Sequence, residues 1–324
     1  MPLSSGAWSC AATEQFEFAL LSNIWAMRVT HITVCICTYR RPEMLQRLLT
    51  AVAQQQTDGH FTFDIAVADN DAARTAEGIV STFRRQSSCP IAYSHEPKQN
   101  IALARNSAIA IATGDFVAFI DDDEFPEQNW LLHLLHACER YQAAGVLGPV
   151  RPHFESTPPS WILKGRFCDR PEHPTGHAMH WEACRTGNLL FRRSIIQDDA
   201  APFDPRFATG GEDKDFFMRM TQRGLIFIWC NEAIAFETVP PSRWTRSYLL
   251  KRALLRGKNI LKHPEGRLRA ISTSVVAAPL YTIVIPFALF AGHHVFMKML
   301  VKFCDHFGRL LAASGISIVN ERQM

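Results

Sequence analysis

The sequence predicts an α/β fold with a doubly wound sheet, and three observations carry that reading. Apolar, largely β-branched runs of strand length recur at 31–37, 63–68, 91–94 and 116–120. The first three are followed by helical patterns, as with Leu45, Leu48, Leu49 and Val52 after the first run. The first, second and fourth end in polar or acidic residues, and the carboxyl edge of a parallel sheet is where such folds place ligands.

Size and charge narrow the options. With 324 residues the chain has room for one large or two modest domains with a full core. A net charge of +3 is too small to argue for nucleic acid, and no aromatic-basic repeat offers a base-stacking surface. The nine cysteines are odd in number and never spaced CxxC, the pattern of a reduced cytosolic chain. Residues 1–26 lack a basic n-region and a cleavage site. With Met27-Arg28 as an alternative start, they are expected to be an extension outside the fold.

The first strand, 31–37 (HITVCIC), puts Cys35 and Cys37 on one face as core residues. It feeds Thr38, Tyr39, Arg40 and Arg41, and Pro42 then opens a helix. Two arginines and a threonine in such a loop suit a diphosphate and its base, an ordinary turn with solvated arginines being the alternative. The second strand, 63–68, ends in Asp69, Asn70 and Asp71; a helix over about 73–85 and a third strand at 91–94 follow.

A helix beginning at Asn100 is expected to stop at Gly114 as its C-cap. The run 116–120 then empties into Asp121, Asp122, Asp123 and Glu124, with Pro126 expected at the N1 position of the next helix. Four adjacent carboxylates repel one another, and crowding raises the pKa of some of them. A hard divalent cation with a phosphate in its shell is the main reason to build such a cluster; a solvated helix cap is the alternative. The chain contains neither GxxxxGK[ST] nor GxGxxG, which disfavours P-loop and common dinucleotide binders.

Residues 151–180, rich in proline, histidine and aromatic groups, read as a long functional loop. The spacing of His173, His177 and His180 fits no zinc site. A strand at 186–191 is entered through Gly187 and Asn188. Gly210 and Gly211 precede Glu212 and Asp213 at a helix start, where glycines let the backbone approach a ligand. Arg243, Arg246, Arg252 and Arg256 suit a diphosphate or anionic lipid, with a solvated basic helix as the alternative. From 270 to 292 no residue is charged, long enough to cross a bilayer, with Pro279 and Pro286 inside it. A basic flank at 251–269 precedes it and an amphipathic basic segment follows, so a membrane-associated tail is expected as a single span, a re-entrant segment or an interfacial hairpin. A kinked helix pair packed on the domain is the alternative.

The segments VCICTYRRPEML, VADND and NIALARNSAIAIATGDFVAFIDDDE together resemble the donor-binding half of the family 2 glycosyltransferases. The resemblance runs over roughly 31–257 and implies the GT-A fold, a Rossmann-like mixed sheet. It implies that Asp123, with Asp121, holds Mn²⁺ or Mg²⁺ against the diphosphate of a nucleotide sugar, and that Asp122 supports them or meets the ribose. Thr38, Tyr39, Arg40 and Asp69 would line a uracil and ribose, with Asn100 and Arg105 near the nucleotide and Gly187-Asn188 walling donor from acceptor. Asp213 would be the catalytic base of an inverting transfer, with Glu212 the second choice. Many relatives carry a histidine where this chain has Phe236-Glu237, so that metal ligand is missing unless Glu237 serves in its place. ETVPPSRWTRSYLLKRALLRG resembles the succinoglycan-type exopolysaccharide subgroup, which adds Arg243 and Arg246 to the expected binding set.

The resulting expectation is a nucleotide-sugar-binding half at 27–150, an acceptor and base half at 151–257, and membrane-associated helices at 258–324. The substrate would be a UDP-sugar, the acceptor a glycan or polyprenyl-diphosphate-linked glycan, and the place the cytoplasmic face of a bacterial plasma membrane, with no nucleic-acid partner. A sugar nucleotidyltransferase and a silent nucleotide-sugar-binding scaffold are the rivals.

Overall fold

The computed structural model describes residues 29–208, 210–260 and 267–316. The expected extension at 1–26 and the start at Met27 lie outside the described residues.

The β-branched run at the front forms β1 (Thr30–Thr38), and Pro42 opens α1 (Pro42–Ala53) as expected. There follow β2 (Phe61–Asp69), α2 (Glu77–Gln86), β3 (Ile91–His95), α3 (Ile101–Ala110) and β4 (Phe116–Phe119). Two local expectations are corrected here. Gly114 does not cap α3, which ends four residues earlier; it lies where an added Cβ would come within 2.6 Å of the Thr33 nitrogen. Pro126 does not open a helix either. It closes the short strand β5 (Glu124–Pro126), and α4 (Trp130–Arg140) begins after it.

Next come β6 (Gly145–Leu147), β7 (Val150–His153) and α5 (Ser160–Gly165), so the stretch read as one irregular loop carries two short elements before its irregular part. β8 (Leu189–Arg192), α6 (Glu212–Gln222), β9 (Phe227–Trp229) and β10 (Ala235–Thr238) complete the body. Three helices end the described chain: α7 (Arg246–Ile260), α8 (Arg267–Ala288) and α9 (His293–Ala313).

The large sheet has the order β3-β2-β1-β4-β8-β6-β9, and β5-β10-β7 form a small second sheet. β1 pairs in parallel with both β2 and β4, whereas β8 is antiparallel to β4 and β6, so the sheet is mixed and runs across the expected boundary at 150. Alternation along β1 decides the two faces. Ile32, Val34 and Ile36 pack against Leu45, Leu48 and Leu49 of α1 and the apolar side of α4. Cys35 points the other way, into a layer with Phe119, Phe191, Phe203 and Phe216. Burying a side chain of this kind contributes about 1.5–3 kcal/mol, which fixes the strand register and hence the edge where the polar ends emerge.

Candidate active site

The register that buries β1 also gathers the acids. Thr38 is level with Asp69, and Cys35 is level with Phe119. Continuing the β1–β4 pairing brings Asp121 alongside Cys37 and Asp122 alongside Thr38. A cleft of about 470 Å³ opens at this edge. Asp122 is buried and faces the β1 loop, accepting hydrogen bonds from Thr38 Oγ1 at 2.9 Å and Arg41 Nη1 at 2.7 Å. Burial pushes its carboxyl up, and the Arg41 charge opposes that. Asp123 Oδ2 lies 3.1 Å from both Arg41 Nη1 and Arg243 Nη2. Asp121 is half open to the cleft; desolvation there pushes its carboxyl up to about 6, with Arg105 opposing and the neighbouring Asp123 and Asp122 adding to the rise.

Arg105 joins this cluster to a second one. Asn100 caps α3 by accepting from the Ala102 and Leu103 amides, and the helix phase it sets turns Arg105 toward the cleft. The buried Arg105 guanidinium makes a close ion pair with Glu212 through Nη1, and its Nη2 is 3.9 Å from Asp121. Glu212 is the first residue of α6, reached through Gly210 and Gly211 at φ 115° and 102°, a backbone only glycine adopts readily. Burial raises the Glu212 carboxyl and Arg105 pulls it back. Asp213 is the less engaged acid: it accepts from the Lys214 amide at 2.8 Å and, among the described residues, from no side chain. The 121–123 acids and the 212–213 acids, about ninety positions apart in the chain, thus meet across one guanidinium.

A third group of charges forms the floor. Glu124 of β5 and Glu237 of β10 are directly paired across the small sheet, where like charges repel. Arg170 stands between them, ion-paired to Glu237 and 3.7 Å from Glu124. Glu237 also accepts from Arg243 Nη1 at 2.5 Å. It is therefore occupied by two arginines. Burial holds Glu124 well above its ordinary value, and its Oε1 has no hydrogen-bond partner.

The cleft is lined by Thr38, Tyr39, Arg105, Asp121, Asp122, Asp123 and Arg243 of the expected set. Glu212, Asp213, Arg40, Asp69, Asn100, Gly187, Asn188 and Arg246 do not line it. Glu212 is turned to Arg105 and Asp213 accepts from the Lys214 amide at the start of α6, and the other six each have a physical reason. Arg40 turns outward to Asp71 at 3.1 Å. Asp69 is fully buried and accepts from the Asp71 and Ala76 amides and the Tyr93 hydroxyl. Asn100 is consumed by capping α3 and by donating to Pro205 O. Asn188, at φ 57°, accepts from Trp130 Nε1 and donates to the Pro149 and Ala233 carbonyls. Gly187 sits behind Asp121, where an added Cβ would be 2.9 Å from Asp121 Oδ2. Arg246 is exposed at the start of α7. Arg41 and Arg252, which the sequence offers as diphosphate-binding arginines, also line the cleft; sequence reasoning left out Tyr248, which lines it, and Arg170, which braces it. Nothing near Arg170 in the chain announces a partner 67 residues away.

The acids fit a hard divalent cation by donor chemistry. Mg²⁺ and Mn²⁺ take one or two protein carboxylates and complete their shell with water and substrate phosphate. Asp121 and Asp123 both open on the cleft, and Asp121 carries the crowding that a cation would relieve. Among the described residues no three His, Cys, Asp or Glu side chains converge as a ready-made cage. A site completed by the ligand's own phosphates does not need one.

Comparison with known proteins agrees with this geometry. The glycosyl transferase family 2 profile matches residues 33–199. The chain is 38% identical over 248 residues to the succinoglycan biosynthesis protein ExoM of Rhizobium meliloti (strain 1021), covering 74% of this chain and 75% of that protein. It is 31% identical over 223 residues to the amylovoran biosynthesis glycosyltransferase AmsB of Erwinia amylovora, covering 64% of this chain and 70% of that one. Among solved structures, S. aureus TarS 1-349 in complex with UDP-GlcNAc matches with a TM-score of 0.50 at 14% identity, over 89% of this chain and 93% of that one. A likeness at that identity is one of fold.

Proposed function

Because this chain belongs to glycosyl transferase family 2 and is a glycosyltransferase of the succinoglycan type, we propose that it transfers a hexose from a UDP-sugar to a lipid-linked glycan, with inversion, in surface or exopolysaccharide synthesis. One observation carries the reading: the buried Arg105 guanidinium ties Asp121, at the end of β4, to Glu212, next to Asp213. A leaving-group site and the helix start that carries a candidate base therefore meet at one guanidinium that lines the cleft, although Asp213 itself does not line it.

Tyr39 and Thr38 hold the nucleoside end, with Asp122 fixing their loop through Thr38 and Arg41. Asp123, with Asp121, is the proposed holder of Mn²⁺ or Mg²⁺, which when bound supplies electrostatic neutralisation of the departing diphosphate. Asp213 accepts the proton of the acceptor hydroxyl as that oxygen bonds to the anomeric carbon. The bond from that carbon to the phosphate oxygen breaks on the opposite face, UDP leaves with the electron pair, and a single displacement inverts the centre. Glu212 is a positioning residue, since its ion pair with Arg105 already occupies it.

The tail supports membrane attachment in the plane of the surface. α8 is the one helix among the described residues long and apolar enough to span a membrane. Its outer face is bare: Val276 is 73% and Phe290, just past its end, 91% exposed. Yet α9 folds back along the body. Arg256 of α7 forks onto Asp305, and His293 meets Trp161 of α5 with ring centroids 5.0 Å apart. A hairpin tied down at both ends favours lying in a membrane surface, on the cytoplasmic face of a bacterial plasma membrane, over leaving the domain as a rod.

The test is a panel of nucleotide sugars assayed with manganese for release of nucleoside diphosphate. The reading expects a UDP-sugar to be turned over and EDTA to stop turnover, with added Mn²⁺ or Mg²⁺ restoring it. Pyrophosphate as the product would identify a nucleotidyltransferase instead. Binding of UDP-sugars without any turnover would identify a scaffold.

A further inference from the structure

Beside the cleft lies a second cavity of about 180 Å³, smaller than the roughly 300–1,000 Å³ that whole small-molecule ligands fill. It takes a head group better than a nucleotide. Its charged wall comes from three distant segments: Arg170 and Arg185 from the long loop region, Arg243 from the turn after β10, and Arg252 and Arg256 from α7. Two carboxylates also line it, and both are taken. Glu237 is shared by Arg170 and Arg243, and Asp169 is held by Arg166 at 2.6 Å. Arg256 is matched by Asp305. Among the described residues Arg185 and Arg252 form no ion pair, so two cationic groups face this cavity without a counter-ion.

Packing guanidinium groups together without anions is unfavourable, and the effect registers on Arg185. Desolvation, then the charge of Arg170 and more distantly those of Arg252 and Arg256, hold it below the ordinary arginine value; Asp213 alone among its main neighbours pulls the other way. The remaining lining is mostly apolar, with Phe167, Val239, Leu249 and, from α9, Val301 beside Tyr248 and Cys168. Val301 belongs to α9, the helix that pairs with α8, and the outer face of α8 is exposed hydrocarbon. Phosphate oxygens at one end and an alkyl chain at the other satisfy both halves of this surface.

We infer that this second cavity binds the diphosphate of a prenyl-linked acceptor, with Arg185 and Arg252 on its phosphate oxygens and the chain leaving beside Val301 toward the α8–α9 hairpin. The inference rests on the glycosyl-transfer reading for the identity of the acceptor, but the site itself is testable by binding alone. Arg252 also lines the donor cleft, so Arg185 is the discriminating residue.

The experiment uses the full chain with UDP and manganese saturating the cleft, and titrates farnesyl diphosphate and inorganic pyrophosphate separately by calorimetry. Farnesyl diphosphate should bind with UDP present, more tightly than pyrophosphate. Arg185→Gln should weaken it by about tenfold or more, as loss of a charge-assisted hydrogen bond does. UDP affinity should stay within about twofold, which also reports that the variant is folded, and Arg185→Lys should recover part of the loss. Unchanged farnesyl diphosphate affinity in Arg185→Gln would overturn the site, and so would one-for-one displacement by UDP. Equal affinity for pyrophosphate would overturn the lipid assignment. Absence of turnover with every nucleotide sugar, alongside intact farnesyl diphosphate binding, would defeat the proposed function and leave this cavity's assignment standing.

Discussion

The two walls of the cleft are made in different ways. Toward β1 and β4 the functional groups come from short contiguous runs, Thr38 to Arg41 and Asp121 to Asp123, whose spacing is set by parallel strands in register. Toward α7 the wall is assembled from single arginines, Arg243 and Arg252, with Arg170 from a third segment bracing it through Glu237. The first wall is a property of a sheet edge and belongs to the fold. The second is a charge-balance problem solved by whichever segments pass nearby. The first depends on strand register, the second on which side chains meet once the loops and α7 have folded together.

Arg105 is where the two acid clusters touch, and its removal should produce the largest structural effect. Arg105→Ala leaves Glu212 buried without its counter-charge, and breaking such a pair typically costs about 3–5 kcal/mol. Denaturant unfolding of the variant measures this, and a loss below about 1 kcal/mol would mean that the clusters are held together by something else. Asn188→Ala comes next. It strands the Pro149 and Ala233 carbonyls and the Trp130 indole, for an expected loss of about 2–3 kcal/mol in the same assay. The account expects UDP affinity of the folded fraction to be unaffected by it. A specific fall in donor affinity with stability intact would return Asn188 to the binding wall. The smallest effect belongs to Arg40→Ala. Its side chain is 60% exposed and faces Asp71, so UDP affinity measured by titration should change by less than about twofold. A tenfold loss would show that the loop closes over the nucleotide in a way this arrangement does not hold.

The same contrast explains what could be read in advance. β1, α1, β4 and the acid run at 121–124 follow from local apolar pattern, turn chemistry and strand length, and the structure has them where the pattern puts them. Gly114 and Pro126 misled because a glycine after a helix and a proline before one are ambiguous locally. Here tertiary contact decided, through a backbone approach at Gly114 and pairing of β5 with β10 at Pro126. The motif at 187–188 was legible as a motif, but which atoms Asn188 satisfies depends on Trp130, Pro149 and Ala233, none of them near it in sequence. Arg170 carries no local signature at all, and Arg252 shows only as one of a spaced basic set. Their role exists only once α7 and the long loop are folded against β10.

The central claim is that Asp213 works as the base opposite a donor held at the 121–123 acids. The measurement that tests it most directly compares Asp213→Asn with the parent for sugar transfer and for UDP binding on the same preparation. Transfer should fall by about 10²–10⁴-fold while the UDP dissociation constant stays within about twofold. Transfer at the parent rate, or a matching loss of UDP affinity, would contradict the account.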